Sequence, residues 1–336
     1  MLAVARATVL ATVLGSALLS NVVAAPLQVS VGQIKRLVNL PSQFVPSRPI
    51  DIWLPDGYDA TQRYAVLYMH DGQMLFDASQ TWNGQSWQVA ETAMQLQQSG
   101  QVRPFIVVGI HNIGAARHSE YFPQKPFACL PLETQQALYA AERAPGIPLF
   151  ATKVYSDQYL QFLVTELKPY IDQHFATDSR AEATFIAGSS MGGLISWYAQ
   201  AEYPHIFGGA ASLSTHWPGT FSLENNPIPL AFIHYLQQHL PTPSSDNKWY
   251  FDHGDQTLDA LYPALQQHVD AVFRAKGFTA EQWHSRAYPG TDHSEAAWAA
   301  RLATPLTFLL APVTTSAPTL APTSASAPAT FKKDTP

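Results

Sequence analysis

Cysteine is almost absent from this chain. Cys129 stands alone among 336 residues, so no disulfide can close within it. A lone thiol with no activating neighbour is expected to be a buried, inert side chain. Charge is scarce as well: Asp, Glu, Lys and Arg make up 13% of residues, with a net charge of -6. That leaves no basic footprint for nucleic acid. Histidine is plentiful, at twelve, but no pair has convincing metal-ligand spacing, and neither H-E-x-x-H nor C-x-x-C occurs. No metal and no cofactor is implied. No internal repeat is visible, and no oligomeric state is assigned.

Long apolar runs are also missing, except at the start. Residues 1–25 read MLAVARATVLATVLGSALLSNVVAA, with Arg6 ahead of the apolar run and small residues closing it. This is the pattern of a secretory signal peptide. The run is short for a membrane span and has no polybasic flank. With no second such run, the expectation is a periplasmic or secreted protein with no stable membrane insertion once the signal is cleaved. Residues 311–336, APVTTSAPTLAPTSASAPATFKKDTP, are rich in Pro, Ala, Ser and Thr. They hold too few large apolar side chains to offset chain entropy, so the tail is expected to be disordered and the folded domain to span 26–310.

Between these ends, short apolar runs alternate with amphipathic ones. PIDIWLP, YAVLYMH, FIVVGIH, ATFIAGS, FGGAASLS, WYFDHG and WHSRAYPG read as strands. WQVAETAMQLQQS, YSDQYLQFLVTELKPYIDQHF, MGGLISWYAQAEY, LYPALQQHVDAVFRAKG and SEAAWAARLATPLTFLL carry helical spacing. The alternation predicts an α/β fold with a mostly parallel sheet covered by helices on both faces. Two stretches break it, from about Asn112 to Lys153 and from about His216 to Asn247. Loops of that length are expected to be lids or caps.

The chemistry centres on GSSMGG, residues 188–193. Between a strand and a helix, G-x-S-x-G is a nucleophile elbow: Ser190 sits on a strained turn, and Gly188 and Gly192 leave room for it. The Met191 N–H, at the helix start, is a natural oxyanion donor. A serine needs a base, and in this arrangement the acid and then the histidine follow it in the chain. His293, in the loop YPGTDHSEAAW, is the expected base. The acid lies in GDQTLDALYP, where both Asp255 and Asp259 are candidates. Asp259, ahead of Pro263, is favoured, although a helix cap would leave the same trace. HDGQMLF should supply the second oxyanion N–H, from Gly72 or Gln73, with Gln73 taken. Asp71 is expected to brace that loop through its backbone. Arg117, His216 and Trp217 are the candidate substrate contacts, with Tyr121 and Trp82 beside them.

Taken together, HDGQMLFD, VVGIHN with RHSEYFP, ELKPYIDQHF, GSSMGG, SLSTHW and DHSEAAWAARLATPLTFL resemble the Putative esterase family of α/β-hydrolases, related to enterochelin esterase and esterase D. The resemblance runs from about Leu40 to Leu310. It implies an α/β-hydrolase fold with Ser190 and His293 catalytic. Together with the leader, the expectation is an exported serine carboxylesterase that takes a small-molecule ester; export, not the family, favours a siderophore-type or cell-wall ester. The GDQTLD turn is longer than the family's usual glycine-x-x-acid, which keeps both aspartates open. An acyltransferase using the same triad is the alternative. A non-catalytic binding protein on the same scaffold is a third reading, disfavoured by the intact motif.

Overall fold

The computed structural model describes residues 27–243 and 247–312. The expected signal peptide and, from Val313, the expected tail lie outside the described residues. The strands are β1 (Gln33–Leu40), β2 (Arg48–Leu54), β3 (Ala65–His70), β4 (Phe105–Ile110), β5 (Glu142–Ala144), β6 (Ile147–Pro148), β7 (Thr184–Ser189), β8 (Gly209–Leu213), β9 (Lys248–His253) and β10 (Trp283–Ala287). The helices are α1 (Val89–Gln98), α2 (Arg117–Tyr121), α3 (Gln124–Ala128), α4 (Leu132–Ala140), α5 (Ser156–Phe162), α6 (Lys168–His174), α7 (Met191–Glu202), α8 (Ile228–His239), α9 (Pro263–Ala275), α10 (Glu295–Arg301) and α11 (Ala303–Leu309).

Eight strands form one sheet in the order β1-β2-β4-β3-β7-β8-β9-β10. β1, β2 and β4 pair antiparallel, and from β4 to β10 every pairing is parallel. The central strands are apolar at nearly every position because both faces are covered. Side chains alternate across the sheet. Val66, Tyr68, Val108 and Ile186 therefore meet the layer holding α5–α9, while Leu67, Met69, Val107 and Phe185 meet α1, α10 and α11.

α5 and α6 form one continuous helix through a π-helical turn at Leu163–Leu167. Pro169 follows that turn and brings no N–H, so one helical bond is lost and the backbone widens just before it.

Four features depart from expectation. β1 is an additional strand, at the sheet edge. The stretch after His216 contains α8, which restores the strand–helix alternation. The stretch after Asn112 holds α2, α3, α4 and a small β5–β6 hairpin rather than bare loop. Cys129 is exposed, not buried: it is the C-cap of the short α3, where the chain turns toward solvent.

The chain leaves β3 toward β4 on one side, while β7 adds on the other. A crevice opens where strand order reverses, at the carboxyl ends of the strands. Asp71–Gln73 and Ser190 sit at that position.

Candidate active site

Ser190 has φ 57° and ψ -120°, in the left-handed half of backbone space that a non-glycine residue rarely occupies. Its N–H donates to the Leu213 carbonyl at 3.0 Å, and its carbonyl accepts from the His216 N–H at 3.2 Å, which fixes the turn between β7 and α7. The flanking glycines are required by space. A Cβ on Gly188 would lie 2.8 Å from the Gly192 backbone, and one on Gly192 would lie 3.3 Å from the Asp71 carboxylate. Met191 is the first residue of α7, where backbone N–H groups have no partner within the helix.

Facing Ser190 is the loop after β3. Asp71 adopts φ 58°, and Gly72 is pressed against β4, where a Cβ would come 2.6 Å from the Gly109 backbone. Gln73 follows and lines the same cavity as Ser190. The Asp71 carboxylate bonds not to the loop's own backbone, as expected, but to side chains from the next stretch of chain. Arg117 donates to its two carboxylate oxygens at 2.6 Å each, and the Asn112 amide donates at 2.6 Å. Burial raises the Asp71 pKa, but the guanidinium and amide more than offset it and hold the carboxyl below its ordinary range.

His293 lies between β10 and α10 and lines the cavity with Ser190. Its Nδ1 is 2.5 Å from Asp259 Oδ1. The other Asp259 oxygen accepts from Ser214 Oγ and from the Gly254 N–H, both at 2.6 Å. Burial alone would raise this carboxyl; the bonds from His293, Ser214 and Gly254 hold its pKa below the usual value. Asp255 is half-buried, and its carboxylate accepts from the Gln256 amide and the Gly290 N–H instead.

A second layer supports the acid. Ser214, at φ 41°, also accepts from Trp298 Nε1 at 3.0 Å and from Arg301 at 2.8 Å. Arg301 pairs with the buried Asp252 at 2.9 Å. Trp298 meets His293 edge to face at 5.0 Å. Thr257, at φ 53°, accepts from the His293 N–H through its hydroxyl at 3.0 Å.

The remaining candidates divide. Arg117 lines both cavities beside Ser190. His216 lines the smaller one, with Nδ1 2.8 Å from the Tyr262 hydroxyl. Burial, first among the causes, pushes its pKa far below the ordinary value, so it is neutral. Trp217 does not reach the site. It is 1% exposed, stacks on Trp197, and donates from Nε1 to Gln266 at 2.8 Å. The backbone after His216 turns the indole inward, and the expected substrate contact is a core residue. Tyr121 is likewise fully buried, whereas Trp82 is 85% exposed and lines the larger cavity. Tyr262 and Arg143 escaped the sequence reading. The Tyr262 hydroxyl lies within hydrogen-bonding reach of Ser190, and Arg143, on β5, lines both cavities.

The larger cavity, about 770 Å³, holds Ser190, His293, Trp82 and Trp87. The smaller, about 100 Å³, also reaches Ser190 and shares Gly114, Arg117 and Arg143 with the larger, but not His293. Among the described residues no group of three or more His, Cys, Asp or Glu could hold a metal ion, and no helix is long and apolar enough to cross a membrane.

A sequence model of the Putative esterase family matches residues 44–309. Carboxylesterase SOBER1 of Arabidopsis thaliana is 25% identical over 173 residues, 52% of this chain and 68% of that protein. Among solved structures, a CE1 ferulic acid esterase of Anaeromyces mucronatus superposes with a TM-score of 0.57 at 17% identity, over 84% of this chain and 91% of that one. Enterochelin esterase of Shigella flexneri gives 0.58 at 18% identity, over 85% of this chain and 60% of that one. These structural likenesses carry the fold.

Proposed function

The chain belongs to the Putative esterase family and is a carboxylic ester hydrolase, and from that premise we propose that it is an exported serine carboxylesterase working through Ser190, His293 and Asp259. The observation that carries this reading is the 2.5 Å contact of His293 with Asp259, in the same cavity as a serine on a strained elbow. Asp259 holds one imidazole tautomer and stabilises the imidazolium that forms. His293 takes the Ser190 proton, and Oγ attacks the ester carbonyl. The Met191 and Gln73 N–H groups receive the oxyanion. As the tetrahedral carbon collapses, the bond to the alcohol oxygen breaks and His293 gives that oxygen the proton. Water then gives a proton to His293 and attacks the acyl-serine; as this second tetrahedral carbon collapses, its bond to Ser190 Oγ breaks, His293 returns the proton to Oγ, and the acid leaves.

Export rests on the leader sequence. A siderophore-type or cell-wall ester agrees with it, and with the esters named for the fungal and bacterial relatives. The exposed Trp82 beside Gln80, Asn83 and Asn112 offers a flat ring and amides to a polar alcohol.

Ser190→Ala is expected to lower kcat by about 10⁴-fold or more with the unfolding temperature retained. Near-full hydrolysis by this variant would sink the assignment. Running the assay with and without an added alcohol reports acyl transfer as a rise in new ester.

A further inference from the structure

The two cavities at Ser190 differ in more than size. His293 lines only the larger. On the triad reading above, His293 protonates the departing alcohol oxygen, so the alcohol must lie on its side. The acyl chain then points the other way, into the cavity of about 100 Å³ that includes Met191 but not His293. This space is small beside the larger cavity of about 770 Å³ and suits a short acyl chain.

Its walls are mixed. Met191, Phe221 and Leu258 can enclose a methylene or two. Arg117 and Arg143 bring two guanidinium groups. Asp71 neutralises the first, while Arg143 has no carboxylate partner among the described residues. His216 is 1% exposed, and its Nε2 has no hydrogen-bond partner. A buried polar atom left unpaired is destabilising, and a ligand atom in this cavity would satisfy it. Neither His216 nor His118 offers a competing cation: burial, first among the causes, keeps both imidazoles neutral.

We propose that the smaller cavity is the acyl pocket and takes a short acyl chain ending in a carboxylate, so that the preferred ester is the half-ester of a small dicarboxylic acid. The methylenes lie against Phe221 and Leu258, the carboxylate meets the Arg143 guanidinium, and His216 Nε2 supplies the remaining polar contact.

The test compares benzyl hydrogen succinate with benzyl levulinate, which is close in size but ends in a neutral methyl ketone. Benzyl acetate serves as the unbranched reference. The wild-type enzyme is expected to favour the succinate by about tenfold in kcat/KM, the scale of one charge-assisted hydrogen bond. Arg143→Gln should bring the ratio near one, and Arg143→Lys should keep part of it. Arg143 is exposed on the hairpin, and a ratio within one variant is insensitive to the amount folded. A wild-type ratio near or below one, or a ratio unmoved in Arg143→Gln, overturns the acyl-pocket assignment. Ser190-dependent hydrolysis of benzyl acetate would leave the esterase reading standing in that case. If no ester is turned over in a Ser190-dependent way, both fall.

Discussion

Asp259 and Asp255 are four residues apart, and the sequence admits either as the acid. Their surroundings differ. Asp259 is fully buried and holds His293, Ser214 and Gly254, while Asp255 is only half-buried. Asp259→Asn is therefore expected to lower kcat by about 10⁴-fold. Asp255→Asn should leave kcat within a few-fold and shift stability by no more than about 1 kcal/mol. Steady-state kinetics and thermal unfolding on both variants check this; a dead Asp255→Asn with an active Asp259→Asn would exchange the roles. Ser190 and His293 were legible because G-x-S-x-G and a strand-to-helix histidine are local patterns. Asp259 was only half legible, since burial decides between the two aspartates. Trp217 was misread because nothing in SLSTHW says which way the indole turns, and Arg143 because its place depends on a hairpin folding back across the chain.

At the scale of elements, the short α2 carries Arg117 and is too brief to be stable alone. It is pinned from outside. Arg48 at the start of β2 makes a bidentate pair with Glu120, at 2.7 and 2.6 Å, both side chains fully buried. His118 donates from Nε2 to the Gly219 carbonyl at 3.0 Å. Glu120→Ala would leave the Arg48 charge buried alone, and about 3–5 kcal/mol of stability should be lost. Denaturant unfolding measures it; a loss below about 1 kcal/mol would show that α2 is held by packing instead. The central strands and the long helices were readable because each is buried on a regular period. β1, QIKRLVNL, was not: its residues are half-buried or exposed, and its pairing comes from β2. α8 was hidden between prolines, which read as loop until the sheet needs a crossover between β8 and β9.

Across the whole molecule, three buried imidazoles tie stability to pH. Burial, first among the causes, lowers His70 and His118 to about 3 and His216 well below its ordinary value. In the unfolded chain they titrate near 6.5. Between those limits the unfolded chain binds more protons than the folded one. Their contribution is thus intact above about pH 6.5 and lost progressively as pH falls toward about 3. Each histidine adds a slope of up to about 1.4 kcal/mol per pH unit. Unfolding temperature should fall steadily from pH 6.5 to 4.5, ahead of the carboxylates; a flat profile from pH 7 to 5 would refute it. Backbone strain is distributed just as unevenly. Of the six non-glycine residues with positive φ among those described, Ser190 is one, and Asp71, Ser214 and Thr257 are three more that belong to the site around it. Each such residue costs on the order of 1–3 kcal/mol. Ser190→Gly should accordingly unfold at a higher temperature than the native chain while hydrolysing nothing. A laboratory lineage selected only for heat resistance would drift toward glycine at these positions and lose its chemistry on the way, so any such selection has to score turnover alongside survival.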